Sequence, residues 1–391
     1  MKHFGLLARL LTGILLGVLI GSLGGVAGIG ETALFHGVIR AFATFNSLFS
    51  SFLSFMIPLI IVSFVAVGLA DLGRKANKLF GITLLLAYGT TVLSGVVVFL
   101  VGKTVLPRLI QPITGKIMES NSAAAFFTLE ITPVFGVMTA LVLAFVFGIG
   151  MANTQQSPLN EAFRHVQRIV SMTLAKVIIP LIPVHIAGLF ANIAAEGRLI
   201  ATAKMFATLY LLILAMQALY IVSQFALASA VCRKNHFKSL KNVAPAYLTA
   251  LGTQSSATTI PVALNCAYRN GVGRDVADFV VPLCATINLN GDTITLVLGA
   301  MGILIASGVT PTFLTFLPFI LMLGVTMVAA PGVPGGGVMA ALGLIESMLG
   351  FTDPMQQLII ALHFSQDSFG TATNVTGDQA IALIVDHADK A

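Results

Sequence analysis

The chain has 391 residues, 57% hydrophobic and only 9% charged, with a formal net charge of +6 and a mean hydropathy of +0.97. Soluble globular domains carry about 25% charged residues, so this composition excludes that class and specifies a polytopic membrane protein. The basic excess raises nucleic acid as a partner, but Lys and Arg sit in short segments between apolar runs, where they set topology; no nucleic-acid partner is expected.

Crossing about 30 Å of hydrocarbon takes about 20 apolar residues. Eight runs of that kind lie near 4–28, 44–70, 78–106, 128–153, 168–196, 201–231, 277–307 and 355–385, several long enough to tilt. The first resembles a signal peptide but exceeds the usual apolar core in length, so it reads as a span. Its Gly13, Gly17, Gly21 and Gly24 suit close helix packing. Arg74, Lys75 and Lys78 follow the second run, Arg164 and Arg168 the fourth, and Arg233, Lys234, Lys238 and Lys241 the sixth. With Lys2 and Arg9 these predict both termini in the cytoplasm, against the opposite pull of Lys103, Arg108 and Lys116. In the third span, Thr90 and Thr91 are expected to bond their own i−4 carbonyls. Residues 103–127 read as an exposed loop. Cys232, Cys266 and Cys284 show neither metal-ligand spacing nor a disulfide framework and read as packing residues.

The texture changes after Lys241. Ala244 to Leu251 is apolar, Gly252 to Thr259 (GTQSSATT) small and polar, and Ile260 to Ala267 apolar again. Each arm is about 12 Å of helix, half a crossing, which predicts a re-entrant hairpin with a Ser/Thr tip. Backbone of that kind at membrane depth must be buried or line a cavity. A second interruption, APGVPGGG at Ala330 to Gly337, breaks the apolar run from Phe313 to Gly350 and predicts a second hairpin with a mobile tip. Between them, Thr286-Ile-Asn288-Leu-Asn290-Gly-Asp292 alternates polar residues at a step of two, which no single helical face can hold, so the helix is expected to unwind around Gly291.

In the last span, Asp367, Thr371, Asn374 and Asp378 stand at i, i+4, i+7 and i+11, all on one face. Two carboxylates at bilayer depth must face a bundle interior, a cavity or a cation, and mark a functional site. Asn288-Leu-Asn290-Gly-Asp292 and Asn374-Val-Thr376-Gly-Asp378 both read N-[VL]-[NT]-G-D. A hairpin followed by an interrupted polar helix, twice, is the pattern of an inverted-repeat transporter with its site at the midplane.

These motifs resemble those of the dicarboxylate/amino acid:cation symporters, the excitatory amino acid transporter family. GTQSSATTIPVA resembles its serine-rich first hairpin, ATINLNGDT its NMDGT motif, PGVPGGG its second hairpin tip, and TATNVTGD its eighth helix. Within that family the QDS…TA…N…D arrangement looks most like the sodium/serine-threonine symporters. The resemblance implies a homotrimer in the plasma membrane, as in a bacterial inner membrane. Each protomer would hold eight spans and two hairpins, with residues 1–241 mainly scaffold and 242–391 the core of an elevator-like transport domain. The third and sixth spans would contact or belong to that domain. No organic cofactor and no enzymatic activity is implied.

Carried over by position, Asp367 would hold a substrate ammonium, and Asn374, Ser255, Ser256 and the tip residues Val333, Pro334 and Gly335 its α-carboxylate. Thr371 and Asp292 would complete the substrate pocket, with Gly370 leaving room beside the substrate side chain. Asp378, Asn374, Asn288 and the Cys284 carbonyl would form one sodium site, and Thr286 with carbonyls at Met327, Val328 and Ala330 a second. A third is implied near Thr90, Thr91, Asn288 and Asn290. All donors are oxygen, as an alkali cation requires.

Two departures bear on the substrate. Asn290 stands where the family has an aspartate, and Asp292 where it has a threonine. The arginines that acidic substrates need are replaced by Gly370 and Gln254, so a dicarboxylate would bury an unpaired charge. The expected substrate is a small neutral amino acid, serine or threonine before alanine; the alternatives are a cationic, a larger neutral or a dicarboxylate ligand. Two other classes stand beside these. An intramembrane aspartyl protease needs two carboxylates at hydrogen-bond distance; Asp367 and Asp378, roughly 16 Å apart along one helix, do not qualify, which leaves Asp292 with Asp378. A passive channel would need neither a lid nor an ammonium-binding carboxylate.

Overall fold

The computed structural model describes residues 6–26, 29–74, 78–113, 124–154, 158–330 and 334–390, and among them no strand occurs. The fold is all-α, as the composition predicts. Its first group of helices is α1 (Leu6–Ser22), α2 (Ala33–Arg74), α3 (Lys78–Leu109), α4 (Val137–Asn153), α5 (Pro158–Thr173), α6 (Ile179–Ala195) and α7 (Leu199–Cys232). The second is α8 (His236–Thr253), α9 (Ser256–Arg269), α10 (Arg274–Ile287), α11 (Asn290–Ala306), α12 (Phe313–Val328), α13 (Gly336–Leu349) and α14 (Asp353–Lys390).

Small residues decide the closest packing in the first group. A Cβ on Gly13, Gly17 or Gly21 would come within 2.4, 2.2 and 2.2 Å of the carbonyl oxygens of Pro183, Ala187 and Ala191. One glycine per turn therefore lets α1 lie directly on the α6 backbone. α2 packs along α4, α5 and α6. The fifth expected span begins earlier than the apolar run suggests: α5 passes through a π-helical turn, Leu174–Ile178, into α6, making one rod from Pro158 to Ala195. Pro180 and Pro183 lack the N–H that a regular ladder would use, which accounts for an irregular turn at this point. The fourth expected span is shorter, since the helix starts only at Val137.

Six segments are long and apolar enough to cross a membrane, among the described residues. α4 is one residue short of that length, and α14 is not among them because its polar stretch lowers its hydropathy. Yet α14 is buried almost from end to end, packed on α7, α8, α9, α10 and α11. Every residue of α11 is buried as well. These two helices form the axis around which the second group is built.

Both expected hairpins are helix–break–helix pairs, with α8 against α9 and α12 against α13. The first break is narrower than the eight-residue polar tip predicted. α8 begins at the Asn235 cap and runs to Thr253, and only Gln254 and Ser255 are non-helical. Ser and Thr satisfy backbone groups at helix ends, so most of the polar tip extends the two helices. The expected unwinding around Gly291 occurs two residues earlier, at Asn288 and Leu289, and Gly291 lies in the first turn of α11. The matching stretch of α14 is not interrupted; Asn374 to Asp378 stay helical. Its side chains serve the broken partner instead.

Candidate functional site

The break between α10 and α11 places a helix N-terminus inside the protein, where its first N–H groups have no intrahelical acceptors. α14 supplies one: Asn374 Oδ1 accepts from Gly291 N at 2.7 Å. Asn374 Nδ2 then donates to Asp292 Oδ2 at 2.7 Å, and Asp292 Oδ1 lies 2.7 Å from His363 Nε2. The chain Gly291–Asn374–Asp292–His363 thus stitches α11 to α14, and all three side chains are buried. Such close approach needs bare backbones: a Cβ on Gly291 would sit 2.2 Å from the Gly370 carbonyl oxygen.

The hairpin tips close over this seam. Gln254 ends α8 in the left-handed conformation (φ 54°) and donates from Nε2 to Ser368 Oγ at 2.7 Å. Ser255 caps α9, accepting from Thr258 N at 3.3 Å. Gly335 caps α13 with φ 71°, and its N–H reaches Asp367 Oδ2 at 3.1 Å. A cavity of about 30 Å³ remains between the tips. Of the residues expected to meet substrate it is lined by Ser255, Ser256, Asp292, Asp367, Thr371 and Asn374, together with Gln254, Thr286 and Ala330. Among the described residues no Lys or Arg lines it.

Four residues expected at the substrate lie off the cavity lining or outside the described residues. Gly370 packs back to back on Gly291, its α-carbon facing the α11 backbone with Gly291 C 3.6 Å from an added Cβ, so it serves helix packing and is not part of the cavity lining. Pro334 and Gly335 are also absent from that lining, which takes Gly336 and Gly337 instead, and Val333 lies outside the described residues. Asp292 lines the cavity, but both its oxygens are already hydrogen-bonded. The spacing argument did not reach His363 because its partner, Asp292, lies on another helix; its signal was an ionisable residue inside an apolar run.

A second polar cluster lies beside the first. Asp378 Oδ1 accepts from Asn288 Nδ2 at 2.8 Å, while Asn288 Oδ1 accepts from Asn290 Nδ2. Asn290 Nδ2 also stands 3.4 Å from Thr90 Oγ1, and Ser94 Oγ lies 3.3 Å from Asn290 Oδ1. Thr91 bonds its i−4 carbonyl, Ala87 O, at 2.7 Å as predicted, whereas Thr90 departs from the expectation and bonds the same oxygen, its i−3 carbonyl, at 3.2 Å. Tyr220 of α7 joins the cluster edge, since a Cβ on Gly377 would meet its hydroxyl at 3.3 Å. Asp378 is buried and meets an amide rather than a basic side chain. An uncompensated carboxylate among oxygen donors fits an alkali cation. The Cys284 carbonyl, expected as a further donor, accepts from Asn288 N at 2.9 Å. Thr286, Val328 and Ala330, from the second expected cation site, line a crevice of about 280 Å³ together with Asp71 and Gln167. Met327 is buried beside them in sequence.

Asp292 bonds Asn374 and His363, whereas Asp378 bonds Asn288. The two carboxylates share no hydrogen bond, so the protease dyad is not formed.

An all-α membrane protein whose buried polar seam runs between a broken helix, an unbroken one and two hairpin tips is built to enclose a small polar ligand. The chain belongs to the sodium:dicarboxylate symporter family, which it matches over residues 6–388. It is similar to an excitatory amino acid transporter of Caenorhabditis elegans, 28% identical over 296 residues, covering 71% of this chain and 58% of the relative. It is 28% identical over 292 residues to excitatory amino acid transporter 1 of Homo sapiens, covering 71% of this chain and 53% of that one. Excitatory amino acid transporter 2 of Homo sapiens is 34% identical over 161 residues, 41% of this chain and 28% of the relative. The chain thus spans a little over half the length of the first two.

Proposed function

We propose that the protein is a sodium-coupled symporter of small neutral amino acids, serine and threonine first and alanine behind them. The observation that carries this reading is the cavity lining, which among the described residues offers two carboxylates and no Lys or Arg. A buried zwitterion needs an anion for its ammonium and donors for its carboxylate. Asp367 supplies the first. For the second, α9 and α13 both begin at the cavity, with Ser255 and Ser256 at one end and Gly336 at the other in its lining, and helix N-termini favour anions. The remaining Asn374 amide hydrogen and the Ser255 and Ser256 hydroxyls add donors.

A dicarboxylate would bring a second negative charge with no cation to meet it. A cationic substrate would need a second full negative charge for its side chain, and that of Asp292 is already shared with the Asn374 amide and the His363 ring, while each of its oxygens keeps a lone pair for a neutral donor. Asp292 therefore presents a fixed acceptor edge, which suits a substrate hydroxyl.

Sodium bound at Asp378 would supply the positive charge that this cluster lacks and couple uptake to its gradient. The cavity of about 30 Å³ is far below the roughly 300–1,000 Å³ of open ligand sites. Admission of substrate therefore requires a tip to move, and the tip whose Gly335 N–H bonds Asp367, a group the substrate would also engage, is the one we assign as lid. In this reading both hairpins are re-entrant, residues 242–391 form the moving core against a scaffold of 1–241, and three copies assemble in the plasma membrane with cytoplasmic termini.

Reconstituted protein tests the proposal. Labelled serine should accumulate in proteoliposomes under an inward sodium gradient and be competed by threonine and alanine, but not by aspartate or lysine. Equal accumulation in potassium would remove sodium coupling. Competition by aspartate would restore the dicarboxylate reading, and competition by lysine the cationic one. Equilibration without accumulation would favour a passive pore.

A further inference from the structure

The ionisable side chains of the seam offer a chemistry that an amino acid does not use up. His363 stands one turn before Asp367 on α14, and its Nε2 lies 2.7 Å from Asp292 Oδ1 on α11. A ring nitrogen of His363, a carboxylate oxygen of Asp292 and one of Asp367 all fall within 4.8 Å of one another. The three side chains are 1%, 4% and 6% exposed. Hydrogen bonding around the ring is incomplete: among the described residues Nδ1 is buried without a partner. Asp292 and Asp367 keep free lone pairs after their bonds to Asn374, His363 and the Gly335 N–H, since a carboxylate has about four to offer. Two buried carboxylates and one imidazole thus converge where no Lys or Arg, among the described residues, lines the cavity.

We infer that His363, Asp292 and Asp367 form a binding site for a divalent transition-metal ion, zinc first, and that such an ion excludes the amino acid from the cavity. One imidazole nitrogen with two carboxylate oxygens is a donor set for zinc, cobalt and nickel, whereas magnesium and calcium take oxygen alone. Donors about 2.1 Å from a tetrahedral ion stand about 3.4 Å apart. The 2.7 Å contact therefore opens and a separation of up to 4.8 Å closes, each by about 1.4 Å or less. Small side-chain rotations on two facing helices supply shifts of that size. The ion takes over the His363–Asp292 bond, because ring nitrogen and carboxylate both turn to it as ligands. Its double charge meets two carboxylates and a neutral ring, so no net charge is left buried. Three protein ligands leave a fourth position for water. Mutual exclusion with the amino acid rests on the reading of Asp367 as the ammonium anchor; metal binding itself does not.

Equilibrium dialysis of the purified full-length protein against Zn2+, without amino acid, tests the site directly. The native chain should retain one equivalent more than His363→Gln, and excess Mg2+ should not displace it. X-ray absorption of the zinc-loaded native protein should show one imidazole among oxygen neighbours and no sulfur, which decides the point if the variant does not fold. Equal retention by both proteins, or a shell that contains sulfur or holds oxygen alone, would overturn the inference. Both measurements are made without amino acid, so they stand or fall apart from the serine proposal. Exclusion is read in proteoliposomes, where Zn2+ should raise the serine concentration for half-maximal uptake and leave the maximal rate unchanged. A lowered maximal rate at unchanged half-saturation would place the inhibiting ion elsewhere and overturn the exclusion.

Discussion

At the scale of single residues, Gly335 is the most constrained position of the site. Its φ of 71° is left-handed, and a Cβ there would lie 2.0 Å from the Phe364 ring. Gly335→Ala thus meets both backbone strain of about 1–2 kcal/mol and a clash, and the tip must lift from Asp367. We expect serine affinity to fall about tenfold or more with expression retained, and Phe364→Ala to restore part of it. Full affinity in the single variant would show that the tip does not close on substrate. Asp378 makes the complementary case. Asp378→Asn keeps shape, and its amide can still accept from Asn288, but the charge is gone. Sodium-driven accumulation should be abolished while the protein still elutes as a folded assembly; normal accumulation would remove Asp378 from the cation site.

At the scale of elements, the two hairpins differ in how they are held. Hairpin α8–α9 is anchored through Gln254 to Ser368, whereas hairpin α12–α13 meets α14 through a backbone N–H to Asp367, a group the substrate would also engage. Substrate and sodium should therefore change the accessibility of the second tip and not the first. Single cysteines at Ser256 and Gly336, in a background lacking Cys232, Cys266 and Cys284, can be titrated with a membrane-impermeant thiol reagent. Ligand-independent, equal labelling at both would argue for ordinary loops. In the scaffold, α1 on α6 is the sharpest element contact. Gly17→Leu should cost about 1–3 kcal/mol or more through overpacking, visible as a lower melting temperature in detergent; an unchanged value would mean that the two helices are not in contact in solution.

At the scale of the whole molecule, α11 and α14 are buried throughout while α4 and α5 expose Val142, Val146, Ile149, Val166 and Ile169. The Asp71–Arg164 ion pair ties α2 to α5. Apolar surface of this kind faces either lipid or another subunit in a membrane protein, and the proposed trimer would use part of it. Native mass spectrometry of the purified protein should give three copies; a monomer at every detergent concentration would sink the trimer.

The sequence by itself determined the membrane class, the helical content, the two hairpins and the polar face of the last helix, because each is written in local composition or in a spacing of three and four residues. Asp367, Thr371, Asn374 and Asp378 were legible as one set for that reason, and the glycines of α1 as a packing surface. What lay beyond reach were the partners. That Asn374 caps α11, that Asp292 is held by His363, and that Gly370 faces Gly291 rather than a ligand depend on which helices lie side by side, and no spacing along one chain encodes a contact between two distant segments. The same holds for the break at Asn288, placed too late by pattern alone. An interrupted helix in the membrane stops where a neighbour can satisfy the freed backbone groups, and here that neighbour is the unbroken α14.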